Sequence, residues 1–279
     1  MNRNTPAQWL REIKQKLKQS HIEDADSTAR LMVGSILQMP LNEILLSGQT
    51  VASDQQAQLE NALQRRLSGE PVQYILGEAY FYGLLFKVTP DVLIPRMDTE
   101  TLVMQAMEKC VPAGRVLDVC TGSGCVALAI KKERPDCSVC AIDLSPRALS
   151  VARENGKRLQ LEAEWLCGDL CRPVEGREFD VIVSNPPYIS REEYKTLSPL
   201  VREYEPEMAL LAGEEGLDLY QRLIPQAWER LAPDGWLCLE IGSTQAEAVK
   251  RLCENAGFIE ITLTCDLAGL PRVIGGRKG

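Results

Sequence analysis

From Arg115 onward, short apolar runs alternate with amphipathic segments, and this alternation limits the fold of the chain more than any other feature. Runs rich in Val, Ile and Leu predict buried strands, whereas apolar residues three and four apart predict helices. Strands are predicted near 115–119, 138–142, 162–167, 180–184, 236–241 and 259–264, and helices near 124–134, 146–158, 215–232 and 244–256. Strands that alternate with helices favour parallel pairing, so we expect an α/β fold with a doubly wound, mostly parallel sheet.

The first 76 residues have a different pattern, in which apolar residues recur at helical spacing. Ser53 and Gln56 predict a capping box at the start of one of these helices. Alternation around Gly83 then predicts a β-hairpin over 78–88. We therefore expect a small helical domain over 1–76, a hairpin linker over 77–95 and an α/β domain over 96–279.

Charge and composition count against several classes of protein. The net charge is −8, and the acidic excess lies in residues 89–279, which hold 22 basic and 30 acidic side chains. Sequence-independent DNA binding rests on a basic surface, so this balance argues against it. No run of 18 apolar residues is present, and Met1–Ser20 lacks the apolar stretch of a signal peptide. We therefore expect a cytoplasmic protein without membrane contact.

The ten cysteines lie mostly within apolar strand patterns. In a cytoplasmic protein such residues are reduced and buried. The one CxxC motif, Cys137 to Cys140, falls on a predicted strand that turns its two thiols to opposite faces, and the one histidine, His21, is far away in sequence. A structural zinc site needs more ligands than this, so we expect no metal.

The predicted strand at 115–119 runs into a glycine-rich loop over 120–124 and then into a helix. Glycines let a ligand approach the backbone, and free N–H groups at a helix start attract polar or anionic groups. Asp143 ends the next predicted strand 19 residues after Gly124, a spacing typical of a carboxylate that binds ribose hydroxyls. Because Gly124 and Ala127 also complete a G-x-G-x-x-A pattern, a nicotinamide dinucleotide is an alternative ligand.

A second loop follows the predicted strand at 180–184 and reads Asn185-Pro186-Pro187-Tyr188. The two prolines forbid helix and remove two N–H donors, so local turns do not use up the nearby carbonyls. The Asn185 carboxamide and a backbone carbonyl can then accept both hydrogens of one NH2 group, while Tyr188 stacks on the planar group that bears it. Such a loop is suited to hold an amide or an aromatic amine, and an ordinary turn is the alternative interpretation.

Two acidic residues narrow the choice of ligand. Asp118 places a carboxylate beside the glycine-rich loop, where it would repel a diphosphate and attract an α-amino group. Asp169 and Leu170 follow the third predicted strand, where Asp169 can accept from an adenine amino group and Leu170 can pack on the ring. A ligand with a ribose, an amino acid head and no phosphate is S-adenosylmethionine, which we expect as the cofactor.

These residues resemble class I S-adenosylmethionine-dependent methyltransferases, and more narrowly the HemK/PrmC family of peptide-chain release factor glutamine methyltransferases. The resemblance covers nearly the whole chain. The narrower match rests on four parts of the sequence: Glu70-Pro71-Val72-Gln73-Tyr74-Ile75-Leu76-Gly77, Leu93-Ile94-Pro95-Arg96 with Asp98-Thr99-Glu100, Val183-Ser184-Asn185-Pro186-Pro187-Tyr188-Ile189, and Glu205-Pro206 with Gly213 to Leu217. Met97 stands where the family usually has proline, a difference that touches none of the expected chemistry.

The resemblance implies a Rossmann-like domain with a mostly parallel seven-stranded sheet, preceded by a helical substrate-recognition domain. It implies methylation of the side-chain amide nitrogen of the glutamine in the Gly-Gly-Gln motif of class-one peptide-chain release factors, with those factors as partners and no direct nucleic acid. The residues implied to grip the glutamine are Asn185, Pro186, Pro187 and Tyr188. Those implied to bind the cofactor are Cys120, Thr121, Gly122, Ser123, Gly124, Asp143, Leu170 and Asn185.

Other functions fit parts of the same pattern. A sister family methylates a glutamine of a ribosomal protein, but the segment 98–100 favours the release-factor branch. An amino methyltransferase acting on adenine in nucleic acid would use the same loop on a flipped-out base, and the acidic charge balance counts against it. A cofactor-binding but inactive protein of the translation machinery would have no need of the intact loop over 185–188.

Overall fold

The computed structural model describes residues 4–279, which form two compact units. The helical unit ends at Glu78, and the sheet unit runs from Ala79 to Gly279. No helix within residues 4–279 is long and apolar enough to cross a membrane. The helices are α1 (Pro6–Gln19), α2 (Ala25–Leu37), α3 (Leu41–Leu46), α4 (Ser53–Leu67), α5 (Val72–Leu76), α6 (Glu100–Lys109), α7 (Cys125–Glu133), α8 (Pro146–Leu159), α9 (Arg191–Thr196), α10 (Pro199–Arg202), α11 (Asp218–Arg230) and α12 (Ala246–Asn255).

The helical unit packs α1, α2, α4 and α5 around one apolar core. Trp9, Ile13 and Leu17 recur at helical spacing on α1 and are buried in it. The capping box expected from Ser53 and Gln56 is wrong, because Ala52 is the N-cap of α4 and Gln56 therefore lies one position too far along the helix. The Gln56 Nε2 instead donates to the carbonyl of Val51, 2.7 Å away.

The strands of the chain are β1 (Glu78–Phe81), β2 (Leu84–Lys87), β3 (Arg115–Val119), β4 (Ser138–Asp143), β5 (Glu164–Cys167), β6 (Phe179–Ser184), β7 (Leu231–Glu240), β8 (Phe258–Cys265) and β9 (Pro271–Lys278). The predicted hairpin is confirmed as β1 and β2, which are joined by Tyr82 and Gly83. Both turn residues have positive φ, as the tight turns preferred in hairpins require.

The remaining seven strands form one sheet in the order β5-β4-β3-β6-β7-β9-β8. The pairs β3–β4, β4–β5, β3–β6 and β6–β7 are parallel, whereas β9 is antiparallel to β7 and β8. The expectation of a mostly parallel, seven-stranded sheet is confirmed. Helices cover both faces, and two apolar clusters fill the layers, one containing Leu117 and Ile182 and the other Val116 and Val181.

The edge formed by β7 and β9 differs from the sequence prediction. β9 was not predicted, because Gly275 and Gly276 interrupt its apolar pattern. A Cβ on Gly275 would lie 2.8 Å from the Thr262 Oγ1 on β8, so the glycine permits close packing between neighbouring strands. β7 also begins at Leu231, five residues before the predicted start, where the prediction placed the end of a helix.

The order of the strands creates a switch point between β3 and β6. From β3 the chain continues outward to β4 and β5, and from β6 it continues in the opposite direction to β7. The loops that leave β3 and β6 at their carboxyl ends therefore diverge and leave a crevice between them. Open α/β sheets bind their ligands in such a crevice.

Candidate active site

A cavity of about 310 Å³ lies at the carboxyl ends of β3, β4 and β6. This volume is at the lower end of the range for small-molecule sites, about 300–1,000 Å³. Of the predicted site residues, eight line the cavity: Cys120, Thr121, Gly122, Ser123, Asp143, Leu170, Asn185 and Pro187. Gly124, Pro186 and Tyr188 do not form part of its lining.

Asp118 holds the glycine-rich loop in place through two hydrogen bonds. Its Oδ2 accepts from the Thr121 hydroxyl at 2.5 Å and from the Ala127 N–H at 3.2 Å, and the residue is 1% exposed. Burial raises the pKa of the Asp118 carboxyl to about 7, although the bonds from Thr121 and Ala127 oppose the shift. The sequence predicted only a ligand-facing role for Asp118, and the structure shows that it also holds the loop in shape.

Asp143 ties the same loop to the next helix. Its Oδ2 accepts from the Gly122 N–H at 2.8 Å, and its Oδ1 accepts from the Ser145 N–H at 2.9 Å at the start of α8. Burial raises the pKa of Asp143, against the lowering effect of these backbone donors. The carboxylate also lines the cavity, so it is placed to meet a ligand while it orders the backbone around it.

Gly124 serves the packing of the domain. Its φ is +79°, and a Cβ at this position would lie 2.9 Å from the Trp165 ring and 3.1 Å from the Ala152 Cβ on α8. A side chain here would separate α7 from its neighbours. The second glycine of the motif is therefore explained by close packing within the protein, which the spacing of the motif alone does not reveal.

The loop after β5 carries an ion pair that sequence reasoning missed. Both carboxylate oxygens of Asp169 accept from the Arg222 guanidinium, at 2.6 and 2.7 Å, and the two residues are 53 positions apart in sequence. Asp169 and Arg222 both line the cavity beside Leu170, which is buried. A ligand at this point therefore meets a paired carboxylate together with an apolar surface.

Asn185 stands at the end of β6 with its amide nitrogen already engaged. The Asn185 Nδ2 donates to the Thr99 Oγ1 at 3.2 Å, and Thr99 is itself buried and lines the cavity. Within residues 4–279 no donor is bonded to the Asn185 Oδ1, so this oxygen is available to accept a hydrogen bond from a ligand. Thr99 was missed as a site residue, although it lies in the 98–100 segment that carried the resemblance.

Glu240 is a buried carboxyl close to the hydrogen bond between Asn185 and Thr99. It ends β7, is 1% exposed, and burial raises its pKa to about 7. Hydrogen bonding from Thr99 opposes that shift most strongly, followed by the charge of Arg272 and hydrogen bonding from Tyr188. Thr99 therefore connects Asn185 to a buried acidic group.

Tyr188 lies behind the cavity wall. Its ring is partly buried and packs against the apolar cluster formed by α11, α12 and the sheet, and burial raises the pKa of its hydroxyl to about 12. Its backbone carbonyl accepts from the Gln245 Nε2 at 2.8 Å. In this structure the aromatic ring is a support for the loop and does not form part of the cavity surface.

The opposite wall of the cavity is joined by an ion pair between a half-exposed arginine and a buried glutamate, in two segments 109 residues apart. The Arg96 guanidinium lies 2.5 Å from the Glu205 Oε1, and the Glu205 side chain is 2% exposed. The other Glu205 oxygen accepts from the Ile94 N–H at 3.4 Å. The pair holds the segments around Arg96 and Glu205 together, and their neighbours Pro95 and Pro206 line the cavity.

The cysteines are free thiols, and Cys120 forms part of the cavity wall. Burial raises the pKa of the Cys120 thiol far above its ordinary value, so it is neutral and contributes contact surface. Among the residues that the structure describes, no group of three or more His, Cys, Asp and Glu side chains is placed to hold a metal ion.

Comparison with known sequences identifies both parts of the chain. The family model "Methyltransferase small domain" matches residues 95–204, and "PrmC N-terminal domain" matches residues 8–77. A "Release factor glutamine methyltransferase" of Koribacter versatilis is 41% identical over 92% of this chain and 95% of its own. Proteins of the same name from Geobacter sulfurreducens (45% identical; 77% of this chain, 76% of its own) and Salmonella typhimurium (38%; 96% and 97%) are similar to it.

Solved structures support the fold. A methyltransferase of Pyrococcus furiosus has a TM-score of 0.55 at 19% identity, over 82% of this chain and all of its own. A 16S ribosomal RNA methyltransferase of T. thermophilus, in complex with AdoMet and guanosine, has a TM-score of 0.51 at 19% identity, over 72% of this chain and 50% of its own. These neighbours show the class I methyltransferase architecture.

We expect Asp118→Asn to weaken the pH dependence of stability. The amide keeps an oxygen for Thr121 and Ala127 but cannot ionise. Because the Asp118 pKa rises from 3.8 to about 7 on folding, the native state binds the extra proton in this range, and stability falls as the pH rises from about 4 to about 7. From about pH 5 to about pH 8, the free energy of unfolding measured in urea should fall by about 2–3 kcal/mol more in wild type than in the variant. Equal losses would show that Asp118 does not titrate here.

Proposed function

Because the chain belongs to the release factor glutamine methyltransferase family, we propose that it methylates the glutamine of the Gly-Gly-Gln motif in class-one peptide-chain release factors, on the side-chain amide nitrogen. The observation that carries this proposal is the Asn185 carboxamide, whose nitrogen is held by Thr99 while its oxygen is left to a ligand. This acceptor stands beside the glycine-rich loop in one cavity. The reaction belongs in the cytoplasm, where translation takes place.

The cavity fits S-adenosylmethionine in its chemistry. The ordered loop of Thr121, Gly122 and Ser123 offers backbone groups, Asp143 offers a carboxylate for the ribose, and Leu170 offers an apolar surface for the adenine ring. When bound, S-adenosylmethionine supplies the electrophilic methyl group of its sulfonium. A structural neighbour that was solved with AdoMet has the same fold, which supports this choice.

The residues of this chain orient a weak nucleophile, the amide nitrogen of the substrate glutamine. The nitrogen of a carboxamide is a poor nucleophile because its lone pair is delocalised into the carbonyl. Asn185 lines the cavity, and its Oδ1 accepts one hydrogen of the substrate amide, which directs the nitrogen toward the methyl group and favours the positive charge that develops on it. The Pro186 carbonyl, the second acceptor expected from the sequence, lies outside the cavity lining and would have to turn toward the substrate to accept the other hydrogen. With S-adenosylmethionine bound, the new N–C bond would form as the methyl group leaves the sulfur, and the alkylated nitrogen would lose its proton to water without a strong base.

Tyr188 has a different part in this proposal from the one the sequence suggested. Its partly buried ring packs against the apolar cluster next to the sheet and anchors the end of the loop, while Pro187 lines the cavity. Substrate recognition is assigned to the helical unit, on which Leu45 and Leu46 are 57% and 84% exposed and offer apolar contact surface.

Mass spectrometry can test the substrate directly. We expect the purified chain with S-adenosylmethionine to add one methyl group to a class-one release factor and none to the factor whose Gly-Gly-Gln glutamine is replaced by alanine. Adenine-containing DNA and ribosomal protein serve as further substrates. Methylation of either of these instead of the factor would replace the proposal with the corresponding alternative, and methylation of none would contradict a catalytic role.

We expect Asn185→Ala to lower kcat by about 10²–10³, the scale for one placed hydrogen-bonding group at a reacting centre. Steady-state kinetics with saturating release factor would measure the effect. Asn255→Ala, an exposed asparagine at the end of α12, is the matched control and should keep the wild-type rate. A loss of less than about threefold in Asn185→Ala would remove this residue from the mechanism.

We expect Asp143→Ala to bind S-adenosylmethionine about 1.5–3 kcal/mol more weakly, the scale for hydrogen bonds to a charged group. The loss has two sources, the ribose contact and the ordering of Gly122 by the same carboxylate. Titration calorimetry would measure it, with the exposed Asp54→Ala in the helical unit as control. Affinity equal to that of wild type would rule out the assignment.

A further inference from the structure

Gln245 is a buried carboxamide that joins three separate segments of the sheet unit. It precedes α12 and is 9% exposed. Its Nε2 donates to the carbonyls of Tyr188 at 2.8 Å and Gly216 at 3.2 Å, and its Oε1 accepts from the Gly242 N–H at 3.0 Å. One side chain thus connects the loop after β6, the segment before α11 and the loop after β7.

The backbone packs closely around the Gln245 carboxamide and leaves no space for a side chain at two neighbouring glycines. A Cβ on Gly216 would lie 2.3 Å from the Tyr188 carbonyl oxygen and 2.8 Å from the Gln245 Nε2. A Cβ on Gly242 would lie 2.9 Å from the Gln245 Oε1. The two glycines are therefore required for the contact, and the position of the Tyr188 carbonyl is defined closely.

The loop that carries Asn185 is fixed at its two ends. At the far end the Ile189 N–H donates to the Leu210 carbonyl at 2.9 Å, and the Ile189 carbonyl accepts from the Ala212 N–H at 2.9 Å. Ser184 donates to the Val119 carbonyl at 2.6 Å, and Asn185 donates to Thr99. The following two residues are prolines and donate nothing. Over the described part of the chain, the Tyr188 carbonyl has one hydrogen-bond donor, and that donor is Gln245.

We propose that Gln245 is a positioning residue for methyl transfer, which sets the orientation of the loop over 185–187 together with the Ile189–Leu210 backbone bond, by holding the peptide group between Tyr188 and Ile189. The inference rests on the proposed function, because it assigns to that loop the acceptors for the glutamine amide. Gln245 makes no contact with the cofactor side of the cavity, where Asp118 and Asp143 hold the glycine-rich loop through their own hydrogen bonds. Its effect therefore falls more on the chemical step than on cofactor binding, to which this loop contributes Asn185 alone.

Two substitutions separate the contacts of Gln245. Gln245→Ala removes all three hydrogen bonds, whereas Gln245→Glu keeps an acceptor for the Gly242 N–H and replaces the donor to Tyr188 and Gly216 with a carboxylate oxygen that repels both carbonyls. We expect kcat for the release factor to fall about tenfold in both, since one hydrogen bond is lost from the support of the reacting loop. Calorimetry should give S-adenosylmethionine affinities within about twofold of wild type. Gln221→Ala, which changes an exposed glutamine on α11 of the sheet unit, should leave kcat unchanged.

Hydrogen exchange supplies a measurement that does not depend on the substrate. In Gln245→Ala, amides in the segment 188–191 should exchange faster, while those of the loop over 120–124 keep the wild-type rate. If the wild-type chain does not methylate the release factor, the proposed function fails, and the exchange rates still decide whether Gln245 holds the loop. Wild-type kcat in both Gln245 variants, unchanged exchange at 188–191, or equal losses of kcat and cofactor affinity would overturn the inference.

Discussion

The parallel pairing of β3 with β6 is the interaction on which the site depends. Val119 and Ser184 are partners at the ends of these strands, and the Ser184 hydroxyl donates to the Val119 carbonyl at 2.6 Å. Because the strands end together, the loops that follow them begin side by side. The cofactor loop and the Asn185 loop are therefore brought together by the register of the sheet, although more than 60 residues separate them.

Buried polar side chains then give these loops their shape. Asp118, Asp143, Glu205 and Gln245 each join backbone or side-chain groups from different segments. A buried polar group without partners costs free energy, so each of these residues favours the one arrangement in which its bonds are made. The apolar layers hold the sheet together, and this small polar set defines the surface that a ligand meets.

Most of the sheet and much of the site could be predicted from the sequence, because local patterns of residues indicate both. The strands β3 and β6 are mostly apolar, and Cys120 and Asn185, which directly follow them, line the cavity. Partners contributed by distant segments were missed: Thr99 for Asn185, Arg222 for Asp169 and Gln245 for Tyr188. No local sequence pattern indicates contacts between residues that lie far apart in the chain. Gly124 shows a second limit of sequence reasoning, since a motif position that suggested ligand binding also has a packing requirement that the motif does not reveal.

The ion pair between Arg96 and Glu205 has a consequence for the cavity before a ligand binds. Separating the two side chains would leave a carboxylate that is 2% exposed without its cation. The cost is about 3 kcal/mol, the lower end for a buried pair, because Arg96 keeps partial contact with solvent. At room temperature the separated form is then below about 1% of the population. The cavity wall to which Pro95 and Pro206 belong is therefore already formed before a ligand binds.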